Sequence, residues 1–291
     1  MMTMTQTETL TPAEKAHVLL EALPYIQKFA GKIVVIKYGG SSIEPDSGEI
    51  DPVILDIIWL KQVGLYPVVV HGGGKAINRL LERLGHQAQF IDGLRVTDEP
   101  TLEAVEMVLG GLVNQQLVAA FHAGGCKAVG LTGVDGGLLA AQKITHEKGD
   151  LGRVGEVMAV HAEPIHALLQ NGFLPVIAPL GCDEQGARYN INADSAAGAI
   201  AAALGAEKLI LLTDVPGILQ AGELINQVTP EEVDALLADG TIQGGMVPKV
   251  EACLAALHGG AQQVHILNGK EPHALLLEIF TERGVGTLVH R

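Results

Sequence analysis

Lysines beside glycine-rich turns are the residues of this 291-residue chain whose types and spacing first suggest chemistry. Lys37 ends a run of β-branched residues and is followed by Gly39 and Gly40, and a second apolar run ends in the glycines at 72–74. A glycine turn between a strand and a helix offers unpaired N–H groups to an anion, and a lysine adds positive charge. Open α/β sheets bind ligands at the carboxyl ends of their strands. The two turns are therefore predicted to be anion sites.

A second lysine and an aspartate complete a set that suits phosphoryl transfer. Lys249 follows the glycines at 244–245, and Asp194 lies between a strand and an Ala-rich helix. Phosphoryl transfer needs in-line positioning and cations on the equatorial oxygens, and little covalent chemistry by the protein. We expect Lys37 and Lys249 to supply the cations and Asp194 to hold both ammonium groups. The alternative is that Asp194, or Asn192, is simply an N-cap.

An arginine in the polar segment 90–98 is a candidate clamp for a substrate carboxylate. Arginine can hold a carboxylate through two parallel hydrogen bonds, which makes Arg95 suitable for this role. The alternative is a surface ion pair between Arg95 and Asp92 or Asp98. The sequence leaves both interpretations open.

Composition narrows the class of protein. The net charge of -14 argues against a nucleic-acid or acidic-membrane partner, because phosphate contacts require clustered cations. The 3 cysteines lack paired or zinc-type spacing, which indicates reduced thiols. No metal-ligand spacing occurs either, so any Mg²⁺ is expected to be held through nucleotide phosphates and water. With no signal pattern and no long apolar run, a cytoplasmic protein is expected.

Strands alternate with helices along the chain, which predicts an α/β fold: a three-layer αβα sandwich with a mainly parallel central sheet. Before the first strand, Thr11 and Pro12 begin an amphipathic helix that extends to about Phe29. Its apolar face must be buried, either on its own domain or on another subunit.

Six motifs in this order resemble the amino acid kinase family, and within it the branch that phosphorylates N-acetyl-L-glutamate. They are KYGG (37–40), VVVHGGG (68–74), DGLRVTD (92–98), YNINAD (189–194), LLTDVPGIL (211–219) and GGMVPKV (244–250). The resemblance covers nearly the whole chain. It implies the amino acid kinase-like fold and transfer of a phosphoryl group from MgATP to the γ-carboxylate of N-acetylglutamate, the second step of arginine synthesis.

The resemblance also assigns roles by position. It implies that Lys37 and Lys249 stabilise the transferring phosphoryl group and that Asp194 organises them. The residues at acetylglutamate-binding positions are Gly73, Gly74, Arg95 and Asn190. Those at nucleotide positions are Gly39, Gly40, Thr213, Asp214, Gly217, Gly245 and Met246. A substrate lobe at 31–195 and a nucleotide lobe at 196–291 follow from these assignments.

The two ends resemble the arginine-inhibited members of that family. Residues 1–30 match an N-terminal helix that interlaces dimers into a homo-hexamer, a trimer of dimers. The tail 264–287 resembles an arginine site, in which His265, Glu278 and Gly284 stand at matching places. Arginine is therefore expected to be an inhibitor, with a carboxylate such as Glu278 binding its guanidinium.

Several positions depart from the family pattern. Ser41 follows KYGG, Lys75 follows HGGG, Val134 replaces a lysine, and Asn268–Gly269–Lys270 replaces Asp-Gly-Arg. These changes leave two alternatives: a kinase for another N-acyl acidic amino acid, such as an aminoadipate derivative, and a catalytically weak arginine-binding regulatory oligomer. Retention of both catalytic lysines argues against the regulator, because a pure binding protein would not need them.

Overall fold

The structure, a computed structural model, describes residues 10–39, 50–281 and 284–291, so Gly40 and Ser41 lie outside the described residues. The helices are α1 (Pro12–Phe29), α2 (Pro52–Gln62), α3 (Gly74–Arg83), α4 (Glu99–Glu106), α5 (Asn114–Ala123), α6 (Glu163–Gln170), α7 (Ala193–Ala203), α8 (Pro230–Ala238), α9 (Val247–His258) and α10 (Ala274–Phe280). A π-helical segment, Met107–Val113, joins α4 to α5, and short 3₁₀ turns cover Asp135–Gly137 and Gly244–Met246.

The strands are β1 (Ile33–Tyr38), β2 (Tyr66–His71), β3 (Phe90–Ile91), β4 (Leu94–Arg95), β5 (Ala128–Thr132), β6 (Leu139–Lys143), β7 (Val154–Val160), β8 (Leu174–Ala178), β9 (Leu180–Cys182), β10 (Arg188–Ile191), β11 (Lys208–Thr213), β12 (Leu219–Gln220), β13 (Glu223–Leu224), β14 (Gln227–Val228), β15 (Gln263–Asn268) and β16 (Thr287–His290).

Within the described ranges the central sheet has the strand order β14-β16-β15-β11-β1-β2-β8-β5. The six strands from β15 to β5 are parallel, and β16 runs antiparallel to β15. Strands β1, β2 and β11 read as nearly continuous apolar runs because both of their faces are buried. The prediction of a mainly parallel sheet is confirmed.

Two apolar clusters lie on opposite faces of this sheet. One joins Val35 of β1 to residues of α6, α7, α8 and α9. The other joins Val34 and Ile36 to residues of α2, α3, α4, α5 and α10. Because neighbouring residues of β1 enter different clusters, the strand alternates between two helical layers. This is the predicted three-layer αβα sandwich.

Among the described residues there are three smaller sheets besides the central one, of which one pairs β12 with β13. Strands β6, β7, β9 and β10 close on one another. Strands β3 and β4 form a hairpin over Asp92 and Gly93, which both have positive φ, as a type I′ hairpin turn requires. The hairpin and β10 carry Arg95 and Asn190, two of the predicted substrate-binding residues.

Helix α1 begins as predicted, with a capping box in which Thr11 and Glu14 bond each other's backbone N–H. Only its last residue, Phe29, is buried. One turn before Phe29, the ring of Tyr25 packs edge-on against the ring of Phe280. Four large apolar side chains of this helix are exposed: Val18, Leu19, Leu20 and Leu23. Among the described residues, nothing covers the part of the apolar face that carries these four side chains.

The stretch Glu99–Ala123 comprises α4, the π segment and α5. It is also the one helix in the described ranges that is long and apolar enough to cross a membrane by length and composition. Its inward side chains, among them Val105, Val113 and Phe121, are buried against the sheet. A core helix passes the same test of length and composition.

Candidate active site

Asp194 binds two lysines that come from opposite halves of the fold. Lys37 Nζ, at the end of β1, lies 3.0 Å from Oδ1 of Asp194 as an ion pair. Lys249 Nζ, in the first turn of α9, donates to Oδ2 at 3.0 Å. Burial alone would raise the pKa of Asp194, but the two ammonium groups hold it below its usual value. The structure thus brings together the three residues predicted to be catalytic.

The N-cap of α7 is Asn192. Its Oδ1 accepts hydrogen bonds from the N–H groups of Asp194 at 2.8 Å and of Ser195 at 3.1 Å. The cap satisfies the helix end, so the Asp194 carboxylate is left for the lysines. The alternative in which Asp194 is only a cap is therefore wrong.

The two glycine turns lie side by side at the carboxyl end of the sheet. Gly72 N–H donates to the carbonyl of Tyr38 at 2.9 Å, which ties the end of β2 to the end of β1. A Cβ at Gly39 would lie 3.1 Å from both Cε and Nζ of Lys37. The lysine thus reaches Asp194 by lying close over Gly39. At Gly73 a Cβ would come within 2.6 Å of Leu109 Cδ2, so a larger residue would have to displace that side chain.

Arg95 is buried and has an unused donor. Its Nη2 donates to the carbonyl of Gly74 at 3.2 Å, and its guanidinium lies 4.8 Å from the centroid of the Phe90 ring. Nη1 is buried and has no hydrogen-bond partner among the described residues. Burial lowers the pKa of Arg95. A buried guanidinium with an unpaired N–H group suits a carboxylate ligand.

The proposed surface ion pairs of Arg95 do not form. Asp92 pairs instead with Lys148, whose Nζ lies 2.7 Å from Oδ1. Asp98 accepts a hydrogen bond from the N–H of Thr101 at 2.9 Å and caps α4. Both carboxylates named in the alternative interpretation thus have other partners.

Asn190 is connected to the strand of Arg95 through Thr97. Asn190 Nδ2 donates to Thr97 Oγ1 at 3.1 Å, and that hydroxyl donates to the carbonyl of Arg95 at 2.8 Å. These bonds fix Asn190 relative to Arg95, and Arg95 in turn contacts Gly74. Arg95 and Asn190, two of the predicted substrate residues, are therefore linked to each other and, through Arg95, to Gly74.

A cavity of about 420 Å³ opens between the end of β11 and the start of α9. Its lining contains five of the predicted nucleotide residues: Gly39, Thr213, Asp214, Gly245 and Met246. It also contains the two lysines predicted to be catalytic, together with Leu212 and Val215 of the LLTDVPGIL motif. Sequence reasoning missed Gln243, which directly precedes the GGMVPKV motif, and that position is the signal that could have found it.

Among the described residues of the predicted nucleotide set, Gly217 alone does not line this cavity. A Cβ at Gly217 would collide with Thr287 Oγ1. Thr287 Oγ1 accepts from the Ile218 N–H at 2.9 Å, so this glycine lets the loop approach β16.

The three residues predicted to bind arginine lie close together: His265, Glu278 and Gly284. His265 Nδ1 lies 2.6 Å from Glu278 Oε1, and Oε2 accepts from the N–H of Val285 at 2.7 Å. Burial would raise the pKa of Glu278, but His265 and the backbone N–H groups keep it below its ordinary value. A Cβ at Gly284 would lie 2.6 Å from Glu278 Oε2.

Sequence reasoning did not single out Lys208, which belongs to the same cluster. Its Nζ lies 3.0 Å from His265 Nε2 and donates to Gln263 Oε1 at 2.6 Å. Burial lowers the pKa of Lys208 to about 8. A lysine at the start of an otherwise apolar buried strand was the available signal.

The described residues that depart from the family pattern lie in different environments. Lys75 is exposed in the first turn of α3, and Val134 packs against the apolar cluster that contains Val34. Lys270 Nζ lies 3.9 Å from Asp214 Oδ1. A cation thus remains beside the predicted nucleotide cavity although Val134 replaces a lysine.

Comparison with known proteins bears on this arrangement. Residues 32–268 match the sequence profile of the amino acid kinase family. The chain belongs to the amino acid kinase family. It is 52% identical to the acetylglutamate kinase of Heliobacterium modesticaldum, with 96% of this chain and 99% of that protein aligned. It is 51% identical to the acetylglutamate kinase of Methanocaldococcus jannaschii, with 96% and 97% aligned.

A solved structure also resembles the fold. The N-acetylglutamate synthase of Neisseria gonorrhoeae, in complex with coenzyme A and N-acetyl-glutamate, superposes with a TM-score of 0.85 at 29% identity. The match covers 95% of this chain and 63% of the synthase chain. The family resemblance and the fold class given by the sequence analysis are thereby confirmed.

Proposed function

We propose that this chain transfers the γ-phosphoryl group of ATP to the γ-carboxylate of N-acetyl-L-glutamate and forms N-acetylglutamyl 5-phosphate, the second step of arginine synthesis. The acetylglutamate kinases that align over almost the full chain at 52% and 51% identity support this substrate. The observation that carries the chemistry is the pair of ammonium groups held by one carboxylate, Asp194. A cytoplasmic location, expected from the sequence, suits a step that uses ATP.

The reaction forms a bond between an acceptor carboxylate oxygen and the γ-phosphorus and breaks the bond to the β-phosphate oxygen. A carboxylate with a pKa of about 4.3 is already ionised at neutral pH, so no general base is required. Asp194 fits this scheme, since its lowered pKa and its two lysine partners make it a holder of cations. Lys37 and Lys249 then neutralise the charge that spreads over the transferring oxygens.

Arg95 and Asn190 are proposed to hold the acyl amino acid. The unpaired Nη1 of Arg95 would bind the α-carboxylate, and Gly74 would fix the guanidinium from the other side. Asn190 would bind the acyl amide through the part of its side chain that Thr97 does not use. The same two residues would serve other N-acyl acidic amino acids, so substrate profiling belongs to the test.

The nucleotide is proposed to lie in the cavity of about 420 Å³ lined by Lys37, Lys249 and the 243–246 turn. No group of three or more His, Cys, Asp or Glu side chains gathers anywhere in the described residues. Asp194 is already occupied by two ammonium groups. This donor set fits a Mg²⁺ ion that is held by the nucleotide phosphates and water and that neutralises phosphate charge when bound.

The decisive experiment is a hydroxamate assay for ATP-dependent acyl-phosphate formation on N-acetylglutamate. N-acetylaspartate and N-acetyl-aminoadipate, which differ in chain length, serve as matched competitors. We expect the highest kcat/KM for N-acetylglutamate. A preference for the aminoadipate derivative would replace the substrate, and no acyl phosphate from any of the three would remove the proposed function.

Inhibition by arginine is the second part of the proposal. Glu278 is the carboxylate offered to a guanidinium, and it is buried beside His265 and Gly284. Because its oxygens already accept from His265 and from backbone N–H groups, arginine would have to displace one of these partners. We expect Glu278→Gln to lose the arginine response that Glu271→Gln, an exposed control, retains. A wild-type enzyme blind to arginine would contradict this part alone.

A homo-hexamer built through α1 is the third part. Leu19 and Leu20 are 69% and 64% exposed, which is costly for a chain that remains alone in water. A second copy of the same helix would cover them. We expect Leu19→Glu with Leu20→Glu to convert a hexamer into dimers in light scattering, whereas Leu84→Glu, at another exposed leucine, leaves the mass unchanged. An unchanged mass in the double variant would contradict the role of α1.

A further inference from the structure

A buried histidine lies directly before the glycine turn of β2, and its environment defines which ring nitrogen carries the proton. Asn114, the first residue of α5, places its Nδ2 3.0 Å from the carbonyl of Val176 and 3.4 Å from that of Leu131. Carbonyls only accept hydrogen bonds, so the amino group of Asn114 must face them. The same Nδ2 lies 3.1 Å from Nε2 of His71, which is therefore the acceptor.

The other ring nitrogen then has a defined role. An imidazole whose Nε2 accepts carries its proton on Nδ1 when it is neutral. His71 Nδ1 lies 2.9 Å from the carbonyl oxygen of Gly72, so it donates to that oxygen. Burial lowers the pKa of His71 to about 4, and the ring is thus neutral at neutral pH. The Gly72 carbonyl is held on the His71 side of the turn.

This hydrogen bond determines where the next N–H group points. No described peptide bond is cis, and in a trans peptide the carbonyl oxygen and the following N–H point in opposite directions. His71 shares its face of β2 with Val69, whose cluster contains α2 to α5, whereas Val35, two residues before Lys37, belongs to the opposite cluster. The Gly73 N–H is consequently directed to the side of Lys37 and Asp194.

Close packing leaves this arrangement little freedom. A Cβ at Gly130 would collide with Oδ1 of Asn114, and one at Gly73 would approach Leu109 Cδ2 to 2.6 Å. Asn114 and His71 are 2% and 0% exposed. The amide, the ring and the turn are therefore confined against one another by the sheet and the helix.

We propose that His71 and Asn114 are positioning residues that fix the Gly72–Gly73 peptide so that the Gly73 N–H donates to an oxygen of the reacting groups. Asn114 sets the tautomer of His71, and His71 in turn holds the Gly72 carbonyl. The inference rests on the proposed function, because the donor acts on phosphoryl transfer. It goes beyond that function by assigning roles to two buried residues that touch no substrate.

The test compares two substitutions of the same histidine. In His71→Asn the amide nitrogen stands near the place of Nδ1 and can still donate to the Gly72 carbonyl, whereas in His71→Gln the amide reaches only the place of Nε2. We expect His71→Asn to keep a kcat near the wild-type value. His71→Gln should lower kcat on the order of 10²-fold, the effect of losing one preoriented donor, with a smaller change in the KM for ATP. Equal losses in two folded variants would overturn the proposal.

A second measurement does not depend on activity. A two-bond ¹H–¹⁵N correlation spectrum of the full chain reports which nitrogen of His71 is protonated. We expect the Nδ1–H tautomer in the wild type and a gain of the Nε2–H tautomer in Asn114→Leu; an Nε2–H tautomer in the wild type would overturn the inference even if the His71 variants fail to fold. Wild-type protein without kinase activity would remove the proposed function, and the tautomer would still be measured.

Discussion

Lys37 and Lys249 contact different oxygens of the same aspartate, each at 3.0 Å, although β1 and α9 lie near opposite ends of the chain. Neither lysine can be repositioned without changing the charge balance at Asp194. The three residues therefore act as one unit, in which the carboxylate fixes the separation of the two cations.

Removal of one cation should slow the chemical step. We expect Lys249→Ala to lower kcat about 10²- to 10³-fold with little change in the KM for N-acetylglutamate, because the ammonium group acts mainly in the transition state. Steady-state kinetics measure both constants. Lys127→Ala, at an exposed lysine, is the matched control. An unchanged kcat would remove Lys249 from the catalytic set.

The charge of Asp194 should also contribute to stability. Because its pKa in the folded state lies below the unfolded value of about 3.9, its contribution is complete above that pH and is lost as the pH falls through the folded-state pKa. Asp194→Asn leaves two lysines without their counter-charge and should cost about 3 kcal/mol at neutral pH. Urea unfolding of both proteins should give a difference that is constant from about pH 7 to 5 and shrinks below about pH 4. A difference that does not vary with pH would contradict this role.

Arg95 should determine substrate affinity rather than turnover. Arg95→Lys keeps the positive charge but loses the Nη1 donor that is proposed to bind the α-carboxylate. The KM for N-acetylglutamate should therefore rise about tenfold or more. The KM for ATP should stay near the wild-type value. Arg188→Lys, at an arginine whose side chain is 57% exposed, serves as the control. Equal KM values for wild type and Arg95→Lys would leave Arg95 without this function.

The buried Lys208 predicts an unusual pH dependence. Its pKa of about 8 lies below the unfolded value of about 10.4, so between these values the unfolded chain binds more protons and stability rises with pH. Charged Lys208 therefore costs stability at neutral pH. The free energy of unfolding of the wild type relative to Lys208→Met should rise by up to about 3 kcal/mol between pH 8 and 10. A difference in unfolding free energy that does not change with pH would show that burial does not lower the pKa of Lys208.

The sequence was sufficient where local pattern decides the structure. Apolar runs predicted β1 and β2, and the glycines that follow them predicted the turns, because strand burial and positive charge at strand ends are local properties. It could not decide between Asn192 and Asp194 as the cap of α7, since that choice depends on whether two lysines distant in sequence bind the Asp194 carboxylate. It could not exclude the alternative ion pairs of Arg95 for the same reason, since the partner of Asp92 is the distant Lys148.

Other residues escaped sequence reasoning because their partners come from distant strands. Lys208 meets Gln263 and His265 only through the parallel register of β11 with β15. Asn114 reads as one polar residue on a long helix, and nothing local indicates that it reaches His71. Register and helix rotation are set by the whole sheet, which a single pattern does not contain.

The π segment Met107–Val113 sets the rotational phase of the helix that follows it. A π turn holds an extra residue compared with an α turn, and one residue corresponds to about 100° of rotation. Because the π turn absorbs that extra residue, the helices on both sides keep their faces, whereas a one-residue deletion in the α-helical turns before Asn114 would rotate it away from β2. The alignment of α5 with the glycine turn thus depends on the number of residues per turn in this segment, so a deletion is tolerated inside the π segment and not beside it.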